Sequence, residues 1–380
     1  MKFVHTADLH LGRQFSGISL EQDYETILGQ IFDAVVEREA DALVVAGDIF
    51  DRASPPQTAI QQFNRFLSKI ISETQTIVVL IAGNHDSGDR INSMSVVADR
   101  QRLLIRGVAS TNEDPLLLND KDGITAFSAL PFCYEYAAQE SFGDTTLTTP
   151  EDVLKAQIAA ARRNVPDSAR WVIVAHAFVT GATVSEGERS LTRAGGIETA
   201  SAEIFEGAHY VALGHLHRPQ AIGADHIRYS GSPLAFGFDE AEQPKSMLLV
   251  ELDGKGNVAI EPIPFRPDRG LRVVRGKHAE LMLADLSKDF VKAILTDEVP
   301  VIDAMKRLRE VFPNACELTY VRDERTSASQ LSLQSAAKAA TPIEVISSFL
   351  ELVGDNANSV QEIGIAAVAV QQIQTEEAAQ

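Results

Sequence analysis

The sequence predicts an α/β fold of β-sheets flanked by helices, followed by a small α+β unit and a C-terminal helix. Three observations predict it. Short β-branched runs at 2–5, 42–46, 77–82, 171–175, 210–213 and 247–252 alternate with helical periodicities over the first 265 residues. These runs are hydrophobic throughout rather than alternating, so both faces of their sheets need covering, and the intervening helices are there to do it. At 262–270 the stretch "PIPFRPDRG" interrupts the pattern with three prolines, which marks a domain boundary.

Taken in order, the run at 2–5 opens the first strand. Leu20, Tyr24, Ile27, Leu28, Ile31, Phe32, Val35 and Val36 then share one face of a 3.6-residue period, which predicts the first helix. A second helix starts at Pro55 or Pro56, since proline suits a first helical turn, and runs to about Glu73. Beyond the boundary, strand-like pieces at 271–274 and 317–321 and a helical piece at 302–311 make an α+β unit. At 342–353, Ile343, Ile346, Phe349, Leu350 and Val353 fall on one helical face, and 354–380 carries little signal. The expected domains are 1–267, 268–338 and 339–380.

The totals exclude some functions. At 380 residues and 45% hydrophobic, the chain has the length of two or three domains and can bury a full core. No apolar stretch reaches the roughly 18 residues a membrane span needs. The opening "MKFVHTADLH" meets a histidine and an aspartate too early for a secretory signal, so a cytoplasmic location is expected. Cys133 and Cys316 stand far apart and outside any C-x-x-C pattern, which suits small core residues in a reducing compartment. Against 53 acidic residues there are 34 basic ones, a net charge of −19. Such a chain does not coat nucleic acid by releasing counterions; work on a polyanion needs metal ions or a partner.

Polar residues follow the strand-like runs at once. Asp8 and His10 follow the first run, Asp48 the second, Asn84 and His85 the third, His176 the fourth, and His215 and His217 the fifth. In an α/β sheet the carboxyl ends of the strands form the crevice where ligands bind, so five segments are expected to deliver donors to one edge of one sheet. Asp8/His10 and His215/His217 are spaced i, i+2, which puts each pair on one side of an extended chain. Gly47, Gly83 and Gly214 precede the ligands and permit close backbone approach. Any one such histidine alone is more simply a satisfied core residue. Three oxygen donors and four imidazoles together exceed one tetrahedral or octahedral site, so the set suits two cations, with Asp48 between them. Nitrogen and oxygen donors without thiolate suit Mn, Fe or Zn better than magnesium.

Read as Asp8-Leu9-His10, Gly47-Asp48, Gly83-Asn84-His85-Asp86, His176 and Gly214-His215-Leu216-His217, the series resembles the calcineurin-like metallophosphoesterases over the first 220 residues. More narrowly, "HTADLHLG", "GDIFDRASPP" and "GSPLAFGF" resemble the SbcD-like family of bacterial nuclease subunits. The resemblance implies a metallophosphoesterase sandwich of β-sheets, a small capping domain and a C-terminal helix that binds SbcC, an SMC-like ATPase. It implies two divalent metal ions, manganese for preference. Asp8, His10, Asp48 and His217 would hold one, and Asp48, Asn84, His176 and His215 the other. His85 would face the scissile phosphate, with Asp86 orienting its ring. For Asp86, capping a helix or a turn is the equal alternative.

By the same resemblance the activity is exonucleolytic trimming of duplex DNA ends and endonucleolytic opening of hairpins, in repair and recombination near the nucleoid. A homodimer is implied, with its helices between residues 24 and 94. Arg266, Arg269, Arg272, Arg275 and Lys277 crowd the boundary; Arg269 and Arg272 either contact DNA phosphates or form ion pairs with an acidic surface. The Gly- and Ser-rich segment 180–201, next to His176, is expected to shape the substrate entrance. Two rivals stay open: a phosphodiesterase for a small diester such as a cyclic nucleotide, and a scaffold of this fold that only binds proteins.

Overall fold

The structure, a computed structural model, describes residues 1–95, 102–185, 188, 192–193, 196–197 and 199–321. The described residues divide into two compact units, Met1–Arg272 with Lys288–Phe290, and Val273–Ser287 with those from Val291 onward. The divide falls just past the proline-rich stretch.

In chain order the first unit contains β1 (Lys2–Thr6), α1 (Glu21–Glu37), β2 (Ala42–Ala46), α2 (Gln57–Glu73), β3 (Ile77–Ile81), α3 (Gly88–Met94) and β4 (Leu103–Arg106). Then come β5 (Leu116–Asp120), β6 (Gly123–Leu130), α4 (Glu135–Phe142), α5 (Pro150–Arg162) and β7 (Arg170–His176). The unit continues with β8 (Tyr210–Gly214), β9 (Gln220–Ile222), β10 (Ala224–Tyr229), β11 (Ser246–Leu252) and β12 (Val258–Pro264). Each strand and helix expected before residue 265 is present to within a residue or two. The helix α1 buries Tyr24, Ile27, Leu28, Ile31, Phe32 and Val35 of the face its periodicity marked, whereas Val36 of that face is exposed. Pro56 lies just ahead of α2, where its missing N–H costs nothing.

The strands form two six-stranded sheets, ordered β12-β11-β1-β2-β3-β4 and β9-β10-β8-β7-β6-β5. In the first, β1 to β4 run parallel and β11 joins antiparallel; in the second, β6, β7, β8 and β10 run parallel. The expectation of one sheet edge is therefore corrected: the first three donor segments leave the first sheet, and His176, His215 and His217 leave the second. The physical reason lies in the faces. Along β7, Val172 and Val174 pack with Phe3, Val44 and Val79 of the first sheet, whereas Trp171, Ile173 and Ala175 pack with Leu154 and Ala161 of α5. A strand covered by a sheet on one side and a helix on the other reads the same as one covered by helices on both.

The second unit is built on the three-stranded sheet of β13 (Leu271–Gly276), β14 (Phe290–Leu295) and β15 (Ala315–Tyr320), with α6 (His278–Leu281) and α7 (Ala304–Leu308). Val291, Ala293, Leu308, Phe312 and Ala315 make its core. The helix at 342–353, the tail after it and the end of the expected capping domain lie outside the described residues. Cys133 and Cys316 form no disulfide and are only partly buried, so neither is the core residue expected.

Candidate metal centre

The loops leaving β1, β2, β3, β7 and β8 meet at one end of the two packed sheets, and they bring all seven expected donors and His85 together. Asp48 stands at the middle: its Oδ2 lies 3.7 Å from His10 Nε2, 3.6 Å from His176 Nε2 and 4.0 Å from His85 Nε2. On one side, His10 Nε2 and His217 Nε2 face each other at 3.2 Å. On the other, Asn84 Oδ1 is 3.0 Å from both His176 Nε2 and His215 Nδ1. The Asp8 carboxylate is grouped closely with Asp48 and His176. It accepts the backbone N–H of His215 on both oxygens, at 2.9 and 3.1 Å, and so ties the first sheet to the second.

The backbone is not extended here, which corrects the i, i+2 argument. Asp8, His10, Asp48 and His215 have φ of 54°, 49°, 49° and 107°. Left-handed backbone at non-glycine residues is strained, at about 1–3 kcal/mol each, and persists where its surroundings over-determine it. The adjoining glycines make room for this. A Cβ on Gly83 would strike the carboxylate of Asp48, and one on Gly214 the carbonyl of Ala46.

The donor set fits divalent cations. The carbonyl of Ala46 can only accept, so His176 donates to it from Nδ1 at 2.9 Å and keeps a lone pair on Nε2. That lone pair faces Asn84 Oδ1 and Asp48 Oδ2, acceptor against acceptors, an arrangement favourable with a cation between them. Burial pushes the imidazoles of His10 and His215 well down and that of His176 to about 4, so all three are neutral and able to ligate at neutral pH. Burial and then the charge of Asp48 push the Asp8 carboxyl well up, the mark of crowded carboxylates with no positive charge between them. His10 Nδ1 is buried without a hydrogen-bond partner.

Two expected roles read differently in the structure. Asp86 does not touch the ring of His85. Its carboxylate accepts the backbone N–H groups of Gly83 at 2.9 Å, Ile49 at 3.1 Å and Phe50 at 2.9 Å, so it locks the loop after β3 to the loop after β2. The ring of His85 is set instead by the Asp51 carbonyl, which accepts from Nδ1 at 2.8 Å and leaves Nε2 pointing toward Asp48. Arg269 donates to the buried carboxylate of Asp23 and to Ser19 O, and lies 4.6 Å over the Phe290 ring. These contacts meet the ion-pair reading of the boundary stretch, which α1 also holds through Thr26–Asp268 and Gln30–Arg266. Arg272 is half exposed and 3.6 Å from Asp289.

Sequence reasoning missed a supporting layer. Lys245 donates to His217 O at 2.9 Å and pairs with Glu240, whose Oε1 stands 3.6 Å from His217 Nδ1. Glu188 accepts the backbone N–H of His217 at 2.6 Å, which brings one residue of the 180–201 segment to the site. Asp51 was legible in "GDIFDR" as a second acid three residues past Asp48. Glu240 and Lys245 had no local signal, because what ties the pair to the site is His217, distant in sequence.

Residues 1–219 match the calcineurin-like phosphoesterase family, and residues 267–353 match the type 5 capsule protein repressor C-terminal domain. The D subunit of the nuclease SbcCD from Staphylococcus saprophyticus is 31% identical over 323 residues, 84% of each chain. Among solved structures the chain is similar to TT1561 of Thermus thermophilus, at 12% identity and a TM-score of 0.35, covering 69% of this chain and 98% of that one. It is also similar to GAP50, the anchor in the inner membrane complex of Plasmodium, at 11% identity and a TM-score of 0.37, covering 84% of this chain and 96% of that one. The chain belongs to the calcineurin-like phosphoesterases, in the branch of the SbcCD nuclease D subunits.

Proposed function

We propose that the chain hydrolyses phosphodiester bonds in DNA, as the nuclease subunit of an assembly with the SMC-like ATPase SbcC. Duplex ends and hairpins are its substrates, and it works as a homodimer. One observation carries this reading: oxygen and imidazole donors from five loops converge around Asp48 with their lone pairs turned inward. Asp8, His10, Asp48 and His217 would hold one divalent cation, and Asp48, Asn84, His176 and His215 the other. Manganese suits this nitrogen-and-oxygen donor set.

Divalent cations supply charge for the phosphoryl oxygens and activation of water when bound. The chain's own residues do the rest. His85, fixed through Nδ1–H, presents Nε2 to the edge of the site beside the Asp48 carboxylate; as the imidazolium, with its second proton on Nε2, it stabilises the departing oxygen or gives that proton up to it. The Lys245–Glu240 pair holds the segment of His217. With a net charge of −19, much of the affinity for DNA resides in the ATPase partner.

The test is an assay of the manganese-loaded chain on a small chromogenic diester and on hairpin DNA, with and without the ATPase and ATP. Cleavage of the hairpin by the assembly is expected. Turnover of the small diester but never of DNA would reassign the chain to small diesters.

A further inference from the structure

We propose that Phe132, Tyr134 and Tyr136 form a stacking platform that receives unpaired bases of the substrate strand beside the metal centre. The proposal deepens the DNA reading above and rests on it.

The rings form an unbroken series outward from the site. His176 and Phe132 have centroids 6.3 Å apart, Phe132 and Tyr134 meet edge to face at 4.8 Å, and Tyr134 and Tyr136 stack at 5.7 Å with planes 12° apart. Exposure rises along it: Phe132 is half-buried, Tyr134 is 42% exposed and Tyr136 70% exposed. A single exposed tyrosine is unremarkable on a protein surface. This pair is parallel, outward-facing and continuous with the centre that binds the phosphate.

The platform is also held in place relative to that centre. Phe132 and Tyr134 sit on the loop between β6 and α4, and Tyr136 in the first turn of α4. Phe132 N–H donates to Ala82 O at 3.0 Å, two residues before Asn84, and the buried Gln157 of α5 donates to Pro131 O at 3.0 Å. The rings are thereby tied to the same segment that carries Asn84 and His85. Stacking on an aromatic face does not depend on charge, and every base has such a face. It is the mode of holding a strand open to a chain with 53 acidic residues against 34 basic ones. Its ligand is a base freed from pairing, as in a hairpin loop or a frayed end, rather than a closed duplex.

The test uses the full chain, with its ATPase partner and manganese, and a hairpin oligonucleotide with 2-aminopurine in the loop. Replacing both tyrosines, Tyr134→Ala with Tyr136→Ala, should weaken hairpin binding about tenfold and relieve the quenching of the fluorescent base. Tyr134→Phe with Tyr136→Phe should keep the wild-type affinity, because the aromatic faces remain. Removing the loop bases, leaving abasic sugars, should cost the wild type about tenfold and the alanine variant little. Equal losses in both would show that the rings do not stack on bases, and the proposal would fall. So would unchanged DNA affinity in the alanine variant, including the case where it loses only its ATPase partner. A wild type that neither binds nor cleaves the hairpin would sink the DNA reading itself, and this proposal with it.

Discussion

Replacing Asp86 by asparagine separates two accounts of that residue. The side chain keeps its shape but exchanges one acceptor oxygen for an NH₂ donor. Asp86 Oδ1 accepts from Phe50, and Oδ2 accepts from both Ile49 and Gly83. In the better orientation the amide oxygen keeps the two bonds at Oδ2, and the NH₂ then confronts the N–H of Phe50. One backbone donor is stranded, which costs about 1–3 kcal/mol, and the two remaining bonds lose their charge assistance. Part of this is offset, because burial and then the charge of Asp48 already push the Asp86 carboxyl up to about 7. A net loss of about 1–3 kcal/mol in unfolding free energy is expected. Turnover per folded molecule should fall only modestly, as the loops bearing Asp48 and Asn84 loosen. Denaturant melts with and without manganese, alongside kcat on a small diester at saturating metal, measure both. A stable variant whose kcat has collapsed by about 10⁴ would mean that Asp86 sets the tautomer of His85 after all, and the loop-lock account would be wrong.

Three further predictions follow from the site and the core. His85→Ala should retain both cations, counted by metal analysis, while cleavage falls by about 10²–10⁴; loss of metal would show that His85 is a ligand. His217→Ala should weaken one cation and leave the other, read as a drop in metal content toward half on dialysis against limiting manganese. His5 is buried against the Tyr210 hydroxyl, and burial lowers its pKa from 6.5 to about 3. It stays neutral in the folded chain while the unfolded chain protonates it, so its contribution is complete above pH 6.5 and is lost as pH falls toward 3. By pH 5 that loss is about 2 kcal/mol, and His5→Gln should flatten the stability profile of the chelated protein by this amount between pH 7 and 5. Parallel profiles for variant and wild type would refute it.

The residues themselves announced which side chains gather. Short hydrophobic runs ending in Asp8, Asp48, Asn84, His176 and His215 were legible because a buried strand and an abrupt polar end are both local features. The same holds for α1 and α2, whose periodicities marked their buried faces. The strand β6, "GITAFSAL", escaped notice because its small and polar residues dilute the run. What only the tertiary structure decided is non-local. Two sheets rather than one supply the donors, because a strand's hydrophobicity does not say whether sheet or helix covers it. Asp86 serves the loops and Asp51 O serves His85, because backbone groups leave no trace in residue identity. Arg269 faces Asp23 rather than a free surface, since a charge's partner depends on which distant segment folds against it.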